Sequence, residues 1–239
     1  PMNYYIELLG GSIKTPKIQL PSPFNEKNFE IIIANHISTK YAKREESMDE
    51  IIEMIETFVN VKSGHYIVFF PSYAYLEATY TLYQEIYPKR TIIVQNKKMN
   101  DNEKMIFLDR FSDYQNDSDL LGFCVLGGFF GEGIDLVGDR LIGVVIVGVG
   151  LPKMGKDVDL LKNYYDQKRG MGFDFAYRFP GMNKVLQAMG RVIRSKSDKG
   201  MALLIDERFG YSSYQNLFPM NYSNQEFVQN NNELREKVD

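Results

Sequence analysis

The segment that most constrains this chain is the run 141–149, rich in valine and isoleucine and without a charge. A strand apolar on both faces has no side to offer water, so both faces must be covered, as in the centre of a parallel sheet. Shorter runs of the same kind recur at 31–34, Tyr66–Phe70, 91–94, 120–126 and 201–205. Between them the apolar spacing is helical: Ile51, Ile52, Met54, Ile55, Phe58 and Val59, then Tyr73–Ile86, 101–111, 157–169 and 181–195. Ser47 reads as a helix cap, with Glu50 completing a capping box. Strands alternating with helices predict an α/β fold with a mostly parallel sheet and helices on both faces.

The organisation is that of one domain, over 26–222, since no linker divides the chain. Residues 1–25 read as an irregular lead-in, and 223–239 as a polar tail without chemistry. The start at Pro1 reads as a piece of something longer. With 28 basic and 31 acidic side chains the net charge is −3, which excludes a wholesale polycation but not a local basic patch. One cysteine, Cys124, excludes an internal disulfide and a thiolate cluster made by this chain alone, and two distant histidines, His36 and His65, argue against a metal centre. The expectation is no metal site in this chain. No run approaches the roughly 20 apolar residues that span about 30 Å of bilayer, and the N-terminus has no signal-peptide pattern. The expected compartment is a reducing cytoplasm.

Three segments carry chemistry. Around Gln187-Ala188-Met189-Gly190-Arg191-Val192-Ile193-Arg194, a helical projection gathers Lys184, Gln187, Gly190, Arg191 and Arg194 within about 120° and puts the apolar residues opposite. Guanidinium groups stay charged and fork onto phosphate oxygens. A mid-helix glycine costs about 1 kcal/mol against alanine, which weakens the case for a plain solvated face and leaves it level with a close approach at Gly190. The second segment, Gly127-Gly128-Phe129-Phe130-Gly131-Glu132-Gly133-Ile134-Asp135, follows a strand and so lies where open α/β sheets bind ligands. Its glycines permit close backbone approach, and Asp135 can accept from a ribose hydroxyl, yet it is not a Walker A loop and a plain turn explains it as well. The third, Phe69-Phe70-Pro71-Ser72-Tyr73, offers Ser72 and free helix amides to a phosphate, or is simply a capped helix.

In this order the three segments resemble motifs IV, V and VI of a superfamily 2 helicase. "FFPSY", "GEGIDLVGDRL" and "QAMGRVIRSKSDKGMALLIDERF", with the upstream "STKYAKREES" and the later "YQNLFP", are similar to the XPD/DinG family over about residues 6–222. The resemblance implies a RecA-like fold and the second motor domain of an ATP-dependent DNA helicase active in DNA repair. It implies that Gln187, Arg191 and Arg194 line an ATP site, the arginines acting as fingers. Gly133, Asp135 and Gly190 would approach the nucleotide. Ser72, Tyr73, Phe130, Gly131, Glu132 and Arg44 would follow single-stranded DNA, although Gly131 stands where relatives carry a larger residue. ATP and Mg²⁺ would be held mainly by the first RecA-like domain, because the chain has no Gly-Lys-Thr/Ser loop and no Asp-Glu-x-His. An iron–sulfur cluster would belong to the parent and not to this chain. Movement would run 5′ to 3′, and the chain alone would be inactive. The alternative is a helicase-derived module that binds nucleic acid or protein without catalysis.

Overall fold

In a computed structural model, residues 2–12, 14–18, 20, 22–112, 119–132, 140–222 and 224–238 are described. Seven strands form one sheet: β1 (Phe29–Ala34), β2 (Tyr66–Phe70), β3 (Ile92–Val94), β4 (Leu121–Val125), β5 (Gly143–Val147), β6 (Gly200–Ile205) and β7 (Gln225–Val228). Their order is β3-β4-β2-β5-β6-β1-β7, and neighbours pair in parallel throughout. The chargeless run at 141–149 supplies β5, in the middle. Gly143 is required there: it pairs with Tyr66, and a Cβ would stand 2.6 Å from that ring.

Alternate residues of each strand feed two cores. Ile31, Ile33, Ile67, Phe69, Cys124, Val144 and Ile146 face one layer of helices. That layer contains α4 (Asp101–Arg110), the short α5 (Phe129–Glu132) and α7 (Phe179–Met189). Ile32, Val68, Phe70, Phe123, Val145 and Val147 face the other layer, made by α2 (Arg44–Val59), α3 (Tyr73–Ile86) and α9 (Asn231–Val238). The remaining helices are α1 (Met2–Leu8), α6 (Lys156–Arg169) and α8 (Ser212–Gln215).

Four expectations need correction. The polar tail does not hang off the domain: over residues 224–238, β7 extends the sheet beside β1, and Leu234 of the helix α9 is buried against α2 and its neighbours. An edge strand has one paired side, so it does not need an apolar sequence, and β7 is polar for that reason. The lead-in contains α1, whose Tyr4 packs edge-on to Phe175 and Phe179. Ser47 does not cap α2. The helix begins earlier, at Arg44, and the Ser47 hydroxyl bonds back to the Lys43 carbonyl at 2.9 Å and to Ser38 at 3.0 Å. Finally, the helix predicted over 181–195 stops at Met189.

That stop has a local cause. Gly190 is the C-cap residue, and the next amides tighten, Arg191 N–H bonding Ala188 O and Val192 N–H bonding Met189 O, both at 3.2 Å. Beyond them the amides of Arg194 and Ser195 turn to the Asp198 carboxylate, at 2.8 and 2.7 Å. Val192 and Ile193 are apolar because both are buried in the core, not because a helix continues.

Candidate functional site

The two arginines of the motif VI segment therefore leave the helix. Gln187 is exposed on the last turn of α7, Gly190 ends it, and Arg191 and Arg194 lie on the turn that leads to β6. The predicted single helical face does not exist, and the argument from a costly mid-helix glycine falls with it, because Gly190, at φ −66°, ends the helix and does not lie inside it. Asp198 shapes this turn. Burial alone would raise its carboxyl, but the Ser195 hydroxyl and the backbone amides of Arg194 and Ser195 together hold it below the ordinary aspartate value.

Among the described residues, the motif VI segment meets the glycine-rich loop at Gly127 and at Gly131. Gly127 has φ +69°, and a Cβ there would stand 2.7 Å from Cε of Lys184, so the lysine stem lies across bare backbone. Further along, Arg191 Nε donates to the Gly131 carbonyl at 3.0 Å. Segments sixty residues apart are thereby joined.

Phe130 was expected to follow DNA, and its ring cannot. It is fully buried, with its centroid 4.2 Å from that of Phe107. Gly131 is buried as well, and among the described residues a Cβ there would meet Phe69 and the Val125 carbonyl, each at 4.0 Å, an ordinary contact distance. Glu132 ends α5. Gly133 and Asp135 lie outside the described residues.

Ser72 and Tyr73 sit where β2 ends. Ser72 caps α3, its hydroxyl accepting from Tyr75 N–H at 3.3 Å. The Tyr73 hydroxyl accepts from Gln95 Nε2 at 2.9 Å, and Gln95 Oε1 accepts from Val125 N–H at 2.8 Å. Burial raises the Tyr73 phenol above its ordinary value. Gln95 thus ties the start of α3 to the end of β4. Sequence reasoning missed it, because a single glutamine after a strand carries no pattern.

At the other half of this edge, Asp206 follows β6 and is completely buried. Arg208 grips it bidentately, Nε at 2.6 Å and Nη2 at 2.7 Å, and the Thr39 hydroxyl donates to the same carboxylate. Arg44 lies alongside. Its guanidinium stacks 4.4 Å from the Tyr75 ring centroid and donates from Nε to the Thr39 carbonyl at 3.2 Å. Asp206 and Arg208 had a visible signal, a charged residue directly after an apolar strand.

Among the described residues no group of three or more His, Cys, Asp or Glu side chains could hold a metal ion. Among them, too, no helix is long and apolar enough to cross a membrane.

A parallel α/β sheet with a glycine-rich loop locked to an arginine turn defines the class, and comparison with known proteins agrees. The Helicase C-terminal domain family matches residues 55–225, and the chain belongs to it, within the XPD/DinG group. It is 27% identical over 194 residues to the ATP-dependent DNA helicase chl1 of Schizosaccharomyces pombe, covering 73% of this chain and 22% of that protein. It is 28% identical over 171 residues to the general transcription and DNA repair factor IIH helicase subunit XPD/RAD3 of Saccharomyces cerevisiae, covering 65% and 21%. The chain thus spans about a fifth of the length of these relatives. The solved structure named XPD_APO superposes with a TM-score of 0.70 at 22% identity, covering 95% of this chain and 46% of the other, which establishes the shared RecA-like fold.

Proposed function

We propose that this chain is the half of an ATP-dependent DNA helicase motor that supplies positive charge to a nucleotide held mainly by a first RecA-like domain. The observation that carries the reading is the Arg191–Gly131 hydrogen bond, because it ties the arginine turn to the glycine-rich loop as one surface. The donor set fits a triphosphate. Guanidinium groups donate only, and phosphate oxygens accept only. Arg191 and Arg194 would hold the terminal phosphate, and Gln187 would orient beside them. ATP with its Mg²⁺ supplies the transferable phosphoryl group. The arginines neutralise charge that grows on it, a contribution of about 10³ to 10⁵ in rate in well-studied NTPases.

Ser72, Tyr73 and the backbone of the Gly127–Gly131 loop would grip single-stranded DNA at the carboxyl edge. The α3 amides next to Ser72 suit a phosphate, and Tyr73 is fixed by Gln95. Arg44 contributes less to this grip, because its guanidinium is committed to Tyr75 and the Thr39 carbonyl. Translocation 5′ to 3′ and work in DNA repair follow from the family resemblance. The chain contains no Gly-Lys-Thr/Ser loop, so by itself it should turn over no ATP.

The test is Arg191→Ala in the full-length parent. ATP turnover should fall at least a thousandfold while nucleotide binding persists. Unchanged turnover would mean that Arg191 is no finger.

A further inference from the structure

Of the two adjacent phenylalanines in the glycine-rich loop, one belongs to the core and the other does not. Phe129 stands edge-on to Phe130, with centroids 5.2 Å apart at 88°, and keeps 40% of its surface exposed. The Lys104 ammonium, from the first turn of α4, lies 5.0 Å from the centroid of the Phe129 ring. Asp101 holds that lysine at 2.7 Å.

Phe129 is also continuous with the proposed strand grip. Its neighbour Gly128 abuts Gln95, where a Cβ would stand 3.2 Å from Nε2. Gln95 is the amide that fixes Tyr73. From Gln95 the chain runs through Asn96, Lys97, Lys98 and Met99 to Asn100, with both lysines exposed and no carboxylate before α4. One side of Gln95 therefore leads to Ser72 and Tyr73, the other to an exposed ring and two free-standing positive side chains.

Single strands are bound by this combination. Every base has a π-face that stacks on an aromatic ring, and lysines neutralise the phosphates between bases. We propose that Phe129 is a stacking platform for an unpaired nucleobase, with Lys97 and Lys98 on the adjoining phosphates. Lys104 lies against the ring, and the 40% of Phe129 that is exposed is the surface the base would take. The proposal rests on the reading of the carboxyl edge as a grip for single-stranded DNA, and it deepens that reading by naming the ring.

The experiment titrates the 239-residue chain with a short oligothymidine and with an abasic oligomer carrying the same number of phosphates. The wild type should bind the oligothymidine about tenfold more tightly than the abasic strand, the range expected for one stacked base. Phe129→Ala should erase that preference. Phe129→Trp should keep it. Phe129→Leu, which preserves apolar volume but has no π-face, should lose it, and so separates stacking from misfolding. Replacing Lys97 and Lys98 together by alanine should weaken both oligomers equally and flatten the salt dependence. A wild-type preference that survives in both Phe129→Ala and Phe129→Leu overturns the platform and leaves the grip standing. Absence of any salt-sensitive binding by the wild type overturns both.

Discussion

The two halves of the sheet's carboxyl edge are held by opposite chemistry. Beside β1 and β6, a buried carboxylate is saturated by Arg208 and Thr39, and Arg44 is folded onto Tyr75. Beside β2 and β4, a neutral amide, Gln95, makes the connection, and the cations nearby stay at the surface. Charge is abundant in both places, but only one place has it to spare. A buried ion pair spends its field on itself, whereas a neutral clamp leaves neighbouring lysines available to a ligand.

The comparison breaks most visibly at Asp206. Asp206→Ala strands Arg208 next to a fully buried hole, and the loss should be about 3–5 kcal/mol in urea denaturation. A change below about 1 kcal/mol would mean that the ionic half is not what holds the edge. Phe130→Ala should come close behind, at about 3–4 kcal/mol, because a fully buried ring leaves a cavity against Phe107. The same substitution at Phe129 should stay within about 1 kcal/mol, since much of that ring is already wet.

Gln95→Ala sharpens the contrast on the neutral side. It leaves the Val125 amide unsatisfied and releases Tyr73, for an expected cost of about 1–3 kcal/mol. Its effect on single-strand binding should exceed that of Arg44→Ala, measured by fluorescence anisotropy.

The smallest effect is a pH response at the arginine turn. The Asp198 carboxyl is held below its ordinary value by hydrogen bonds to its charged form. A depressed carboxylate stabilises the fold above its unfolded pKa and loses that contribution as pH falls through the folded one. Acidification below the ordinary aspartate range should therefore lower the protection of the Arg194 and Ser195 amides, exchange being referred to the unfolded chain at the same pH, before the sheet melts. Asp198→Asn should show fast exchange already at neutral pH. Equal exchange in both proteins across that range would remove Asp198 as the organiser of the turn.

Much of the architecture was legible because central strands buried on both faces admit few other readings: β2 and α3 begin and end where their residues predict. The end of α7 was hidden for a physical reason. Val192 and Ile193 are apolar because they fill the core, and they happen to continue the helical period past Gly190. Which phenylalanine of the loop turns inward was equally invisible, because Phe107 decides it from another helix. Gln95 finds its partners 22 and 30 residues away, and no local pattern encodes such a link. The polar sequence of β7 concealed a strand that needed only one paired side.

Because α7 ends at Gly190, the proposed fingers are carried on a short loop and not on a rod. Their spacing is set by a handful of backbone torsions and the Asp198 carboxylate, and Val192 and Ile193, buried between them, pin the loop to the core. In machine terms, the two prongs are one short bracket bolted to the frame between them, so whatever shifts the sheet shifts both tips together.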